Sequence, residues 1–138
     1  MKQSGSSLAV NTNGPGLTEI TRDVTAWIAD QEVGDGLLTL FIRHTSASLL
    51  IQENADPDVL ADLESFFARL APYDGDYRHR SEGPDDMPAH IKSALTQSAL
   101  SIPVTGRRLT LGSWQGIFVF EHRDRPHQRE IVLHLIGE

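Results

Sequence analysis

Hydrophobic residues recur along the chain in two patterns, one repeating every second position and one every third or fourth position. The first pattern is typical of β-strands and the second of amphipathic helices. Helical spacing is found in three segments: residues 18–29, 58–70 and 88–100. Strand-like segments lie among them, at residues 8–10, 37–42, 49–53, 102–104, 107–111, 114–121 and 129–136. The pattern therefore predicts about three short helices scattered among β-strands.

The connections between the predicted strands are mostly short turns, such as Asp35-Gly36 and Gly112-Ser113. Short turns favour antiparallel pairing, so we predict an α+β fold with a mainly antiparallel, β-sandwich-like core. Residues 37–42 (LLTLFI) are hydrophobic on both faces of their strand. The second face must therefore be covered, either by the helices or by a neighbouring subunit.

Helix-start signals precede the second and third helices. Asp56-Pro57 is a typical cap for the second helix, whose buried side is expected to comprise Val59, Leu60, Leu63, Phe66, Phe67 and Leu70. Asp85 and Asp86 lie just ahead of Pro88, as expected at a helix N-terminus. Capping is the simplest role for these two aspartates. The alternative is that one of them acts as a general base or as the partner of a histidine.

Length and composition indicate one ordinary globular domain spanning residues 1–138, with a flexible polar terminus at residues 1–6. The net charge of −7 argues against a nucleic-acid binder or a protein that binds anionic membranes. The absence of cysteine excludes a thiolate zinc site, so any metal must be held by His, Asp or Glu. Because the N-terminus lacks a signal-peptide pattern and no segment is long enough to cross a membrane, we expect a cytoplasmic protein.

The residues most suggestive of chemistry lie in the stretch 79–92, HRSEGPDDMPAHIK. Its first half has no hydrophobic periodicity, so packing does not explain it. His79 and His90 lie at its two ends, and His90 falls in the first turn of the predicted third helix. Three histidines and a water would form a plausible catalytic zinc site.

Two further polar segments follow predicted strands. His44 opens a loop with Thr45 and Ser46, whose hydroxyl groups are suited to phosphate or carboxylate oxygens, although an ordinary serine-rich turn is equally consistent. Glu121-His122-Arg123 ends a strand near two more arginines and could hold an anion. The alternative there is a solvated basic loop.

Four segments together resemble the YjbQ family, which carries the name "secondary thiamine-phosphate synthase enzyme". They are HTSASL at 44–49, NADPDV at 54–59, YRHRSEGPDDMPAHIK at 77–92 and LGSWQGIFVFEHR at 111–123. The resemblance covers nearly the whole chain. Ser113 and Pro84 depart from the usual threonine and alanine of the family.

The resemblance implies a homotrimer with a site at or near the subunit interface. It also implies that His44, His79 and His90 form the metal or catalytic cluster, followed with less weight by Asp86, Glu121 and Arg123. The thiamine-phosphate synthase activity in the family name is a weak side activity, and the physiological substrate is open.

The leading hypothesis is therefore a metal-assisted enzyme acting on a small phosphorylated or otherwise anionic metabolite. His44, His79 and His90 would bind a divalent ion, with zinc the natural choice for imidazole ligands. Asp86 or Glu121 would orient a histidine or move a proton. The anion would be held by Thr45, Ser46 and Arg123. The alternatives are a non-catalytic, metabolite-binding or anion-binding trimer and a structural or regulatory protein.

Overall fold

The computed structural model describes all 138 residues and contains three helices and eight strands. In chain order these are β1 (Lys2–Thr12), β2 (Gly16–Glu19), α1 (Thr21–Ala29), β3 (Gly36–Ile42), β4 (Ala47–Glu53), α2 (Pro57–Leu70), α3 (Asp86–Leu95), β5 (Ala99–Thr105), β6 (Arg108–Leu109), β7 (Gln115–Glu121) and β8 (His127–Gly137). Every strand pair is antiparallel. The predicted α+β fold with antiparallel sheets is confirmed.

The strands form two sheets. One has five strands in the order β1-β8-β3-β5-β6, and the other has three in the order β2-β7-β4. The hydrophobic core contains 18 buried residues contributed by both sheets and by α1. Burial of each large aliphatic side chain in such a core contributes about 1.5 to 3 kcal/mol.

Strand β3 shows how the alternating pattern divides the large sheet into two faces. Leu38 and Leu40 are fully buried in the core, whereas Leu37 and Phe41 point the other way and are 40% and 46% exposed. Ile136 of β8 pairs with Leu37 and is also partly exposed. No helix of the same chain covers this apolar face.

Helix α1 begins later than predicted, because residues 16–19 pair with β7 as a separate strand. Thr18, expected in the helix, lies opposite Val119 in that pairing. Val24 and Ile28 are the fully buried residues of α1.

Helix α2 begins as predicted, with Oδ1 of Asp56 accepting a hydrogen bond from the backbone N–H of Asp58 at 2.9 Å. The predicted buried side is partly correct: Val59, Leu60, Leu63 and Phe67 are half-buried. Phe66 and Leu70 are each 51% exposed, and no residue of α2 is fully buried. The physical reason is its position: α2 lies against β2 at the edge of the small sheet, where only one side of a helix can be covered.

Two boundaries also differ from the sequence prediction. Helix α3 ends at Leu95 rather than near Leu100, because residues 99–105 pair with β3 and extend β5. The terminus expected to be frayed is part of β1, which pairs with β8 from Lys2 onward. Backbone pairing needs no hydrophobic side chains, so this polar strand gives no periodic signal. No helix has the length and hydrophobicity needed to cross a bilayer.

Candidate metal site and its polar surroundings

Four side chains at the start of α3 bring potential metal ligands together. They belong to His79, Glu82, Asp86 and His90, and one ligand atom from each lies within 4.8 Å of the others. His79 and Glu82 lie in the loop before the helix, and Asp86 is its first residue. His90 follows one turn later, so it projects from the same helix face as Asp86.

The carboxylate of Asp86 is the centre of this cluster and is 2% exposed. Its Oδ2 atom lies 2.6 Å from Nε2 of His79 and 3.1 Å from Nε2 of His90. Its Oδ1 atom pairs with Nη1 of Arg123 at 2.8 Å. Burial alone would raise the pKa of Asp86, but the hydrogen bond from His79 and the neighbouring charges outweigh burial and lower it.

Asp85 occupies the N-cap position of α3 and Asp86 lies in its first turn, as predicted, but neither side chain makes a capping hydrogen bond. Oδ2 of Asp85 accepts from Nε of Arg123 at 2.8 Å and from the backbone N–H of Asp124 at 3.0 Å. These bonds explain the local structure: Asp85 fixes the end of β7 against α3, while Asp86 faces the histidines. Arg123 also donates to the carbonyl of Glu82 at 3.1 Å, which anchors the loop.

The orientation of His90 is set by Thr45. Nδ1 of His90 lies 3.1 Å from the Thr45 carbonyl oxygen, an acceptor, so this nitrogen carries a proton. A neutral imidazole then presents a lone pair at Nε2 toward Oδ2 of Asp86, which is also an acceptor. Two acceptors 3.1 Å apart require a cation between them, either a second proton on His90 or a metal ion.

His44 lies outside this group of ligands. Its Nε2 accepts the backbone N–H of Glu130 at 2.9 Å, and its Nδ1 is 3.5 Å from Nη1 of Arg129. Burial, followed by the charge of Arg129, lowers the pKa of His44. His44 and His90 nevertheless line the same cavity, of about 340 Å³, together with Thr45.

Glu121 also lies apart from the histidine cluster. Its carboxylate is 1% exposed and accepts hydrogen bonds from Thr12 at 2.6 Å and from Nε and Nη2 of Arg129. The backbone N–H groups of His122 and Arg123 also donate to it, at 3.0 and 3.1 Å. Burial favours a raised pKa for Glu121, but these bonds outweigh burial and lower it. The arrangement is that of a buried ion pair joining β7 to β8.

The predicted anion-binding side chains are partly engaged with the protein. Arg123 is held by Asp85 and Asp86, and the hydrogen bond to Asp85 is the main cause of its raised pKa. Oγ of Ser46 accepts from Nη2 of Arg129 at 3.1 Å. Thr45 takes part through its carbonyl, which leaves its hydroxyl at the wall of the 340 Å³ cavity.

Sequence reasoning missed Glu82, and it gave no role to Ser48 or Lys92. His79, Glu82, Asp86 and His90 follow one another at intervals of three and four residues. Residues 79–85 form a loop, as predicted, so this spacing is not that of one helix face and could not place Glu82 beside Asp86. Ser48 lies in a buried hydrogen bond with Nε2 of His122 at 2.9 Å, which no spacing in the sequence indicates.

The chain was also compared with known proteins. The family described as "UPF0047 protein YjbQ-like" matches residues 6–138. A UPF0047 protein of Synechocystis is 54% identical over 99% of this chain and 94% of its own length. The UPF0047 protein YjbQ of Escherichia coli O157:H7 is 43% identical over 96% of each chain.

Solved structures share the same fold. A yjbq/upf0047 family protein of Clostridium acetobutylicum superposes with a TM-score of 0.85 at 36% identity, covering 96% of this chain and 99% of its own. A hypothetical protein of Aeropyrum pernix gives 0.89 at 29% identity, covering 98% and 99%. This chain therefore belongs to the YjbQ-like UPF0047 family.

Proposed function

We propose that His79, Glu82, Asp86 and His90 bind a divalent cation and that the protein is a metal-assisted cytoplasmic enzyme. Its substrate would be a small phosphorylated or otherwise anionic metabolite. The observation that carries the proposal is the convergence of two imidazoles and two carboxylates, with one ligand atom from each within 4.8 Å of the others.

Two of the separations among the ligand atoms are close to those around a small ion. Ligand atoms about 2.0 to 2.1 Å from a tetrahedral zinc lie roughly 3.3 Å apart. The corresponding separations here are 3.1 Å from His90 to Asp86 and 3.6 Å from His79 to Glu82, whereas the 2.6 Å from His79 to Asp86 is a hydrogen-bond distance that must lengthen when a metal binds. Two imidazoles and two carboxylates form a donor set that zinc accepts readily.

Each residue of the cluster has a definable part in this proposal. A divalent ion held by three of these four side chains would keep one position open for water and would supply Lewis-acid chemistry and a water of lowered pKa. Thr45 fixes the ring of His90 through Nδ1, which keeps Nε2 directed at Asp86. Arg123 neutralises the second oxygen of Asp86 and so leaves Oδ2 as the ligand atom.

The adjoining cavity of about 340 Å³ is the proposed place for the anion. His90 lies at its wall, next to the hydroxyl group of Thr45 and the imidazole of His44. Four hydroxyl-bearing residues line the same cavity: Thr45, Ser48, Ser93 and Ser98. Hydroxyl groups are well suited to phosphate oxygens.

The synthesis of thiamine phosphate is one candidate reaction, since both of its substrates, a pyrimidine pyrophosphate and a thiazole phosphate, are phosphorylated. Complementation of a thiamine-auxotrophic strain and turnover of a phosphorylated metabolite panel both test for catalysis. We expect His90→Ala to abolish activity and His127→Ala to retain it, because His127 lies outside the cluster, with its Nδ1 atom 2.7 Å from the Arg125 carbonyl oxygen. Equal activity in both variants would refute catalysis at this cluster. Ligand binding without turnover would support an anion-binding protein instead.

We also propose that the chain assembles as a homotrimer through the open face of the five-stranded sheet. Leu37, Phe41 and Ile136 lie on that face and are 37% to 46% exposed. A charge at its centre should oppose packing, so Phe41→Glu is expected to yield monomers by light scattering, with unchanged far-ultraviolet circular dichroism. A monomeric wild type would contradict the proposal.

A further inference from the structure

A second cavity, of about 670 Å³, lies between α2, α3 and the end of β7. None of the four cluster residues lines it. Lys92 does, and it lies two residues after His90, or roughly 200° around the helix. Helix α3 therefore presents the histidine cluster on one side and this cavity on another.

Lys92 is the one cationic residue that lines the cavity, together with Glu64 and the paired Glu121, and it is only 7% exposed. Its Nζ atom lies 5.9 Å from the ring centroid of Tyr73 and is open to the cavity rather than enclosed by protein. Burial lowers the pKa of Lys92 against the opposing effect of the surrounding carboxylates. An oxyanion in the cavity would form a charge-assisted hydrogen bond with this ammonium.

The walls around Lys92 are aromatic and rigidly arranged. The ring of Phe67 meets that of Phe120 edge to face at 5.5 Å between centroids. Phe120 in turn packs on His122 at 4.4 Å. The hydroxyl of Tyr73 donates to Asp124, which fixes the third ring. Such walls suit a flat ring.

His122 completes the cavity wall behind Phe120. The residue is 1% exposed, and its Nε2 is bonded to Oγ of Ser48, while its Nδ1 is enclosed by protein atoms and has no hydrogen-bond partner. The cavity thus combines one accessible ammonium with aromatic walls.

We propose that this cavity binds a small planar organic anion, whose carboxylate or phosphate pairs with Lys92 and whose ring packs among Phe67, Phe120 and Tyr73. The site is separate from the proposed metal cluster and does not depend on it. Glu64 lines the opposite wall, and burial raises the pKa of its carboxyl group. Its negative charge opposes the anion and limits the affinity.

Benzoate and phenyl phosphate are suitable probes, with benzyl alcohol as the uncharged control. Titration is followed by ¹H–¹⁵N shifts of the backbone amides of Lys92, Phe120 and His122 in the full chain. A ligand of this size in a fitting pocket is expected to bind with a Kd of about 1 mM. Preference for benzoate or for phenyl phosphate identifies the oxyanion that the site favours.

Two variants in the cavity and one outside it sharpen the test. Lys92→Gln should weaken benzoate binding about tenfold or more, because it removes a charge-assisted hydrogen bond. Glu64→Gln should tighten it by roughly twofold to fivefold. Lys2→Gln removes the same charge from an exposed strand and should leave the Kd unchanged.

Several results would overturn the proposal. These are no saturable shift with either anion, equal shifts with benzyl alcohol, or an unchanged Kd in folded Lys92→Gln. If Lys92→Gln does not fold, the Kd of benzoate for the Glu64→Gln variant tests whether the anion binds in this cavity. An unchanged or weaker affinity in that variant would show that the anion does not occupy this cavity.

Discussion

Protonation of His122 should destabilise the protein as the pH falls below neutrality. The imidazole is buried, and its Nε2 is held by Ser48 while Nδ1 has no partner. Burial is the main cause, and the positive charge of Lys92 the second, of a pKa lowered to about 3. In the unfolded chain the same group titrates near its usual value of about 6.5.

The magnitude follows from linkage between protonation and folding. The pKa of His122 is lower in the folded protein than in the unfolded chain, so the unfolded chain binds the proton first as the pH falls. The contribution of neutral His122 to the free energy of unfolding is therefore complete above about pH 6.5 and is lost as the pH falls toward 3. Between about pH 7 and pH 5, His122 alone lowers the free energy of unfolding by about 2 kcal/mol. Carboxylates with lowered pKa values reduce the free energy of unfolding further below that pH range, since they titrate near pH 4 in the unfolded chain.

Urea unfolding monitored by circular dichroism at a series of pH values measures this loss. The matched variant is His122→Gln, which can keep the hydrogen bond to Ser48 but does not titrate. Its free energy of unfolding should fall by about 2 kcal/mol less than that of the wild type over the same range. A smaller slope remains in the variant because the pKa of His44 is also lowered. Equal slopes in the two proteins would refute the buried, neutral state of His122.

Three further predictions concern stability and are all measured by urea unfolding at neutral pH. Arg129→Met should cost about 3 to 5 kcal/mol, since it leaves the carboxylate of Glu121 buried and unpaired, and the added change Glu121→Gln should recover part of the loss. Leu38→Ala should cost about 2 to 5 kcal/mol as a core cavity, whereas Leu95→Ala, at a side chain that is 57% exposed at the end of α3, should cost about 1 kcal/mol or less. Asp56→Ala should cost about 1 kcal/mol through loss of the α2 cap, and no loss would show that this hydrogen bond is unimportant in solution.

The sequence predicted best those elements whose own residues determine them. Strand β3 has a continuous hydrophobic run, and α2 has a proline at N1 after an aspartate cap, so both beginnings were predicted within one residue. Strand β2 and the first half of β1 were missed because their pairing partners lie about a hundred or more residues away. Helix α3 was predicted too long because Leu100 fits a helical spacing, yet its backbone pairs with β3.

The part of the candidate site that was predicted is the part whose residues are close together in the sequence. His79, Asp86 and His90 are close in sequence and lie together in the structure. The position of His44 depends on how the loop after β3 folds. In the structure its Nε2 accepts a hydrogen bond from the backbone N–H of Glu130, so His44 lies outside the cluster. The environment of His122 depends on the convergence of α3, β4 and β7, which local spacing cannot reveal.

The central claim, a metal site at the start of α3, is tested most directly by the zinc content and zinc affinity of the protein purified without a histidine tag. We expect about one tightly bound zinc per chain in the wild type, by elemental analysis and by competition with a chromogenic chelator. The His90→Ala and Asp86→Asn variants should lose it, and His127→Ala should retain it. A wild type that binds no stoichiometric zinc, or no more than His90→Ala does, would show that a proton rather than a metal ion lies between His90 and Asp86.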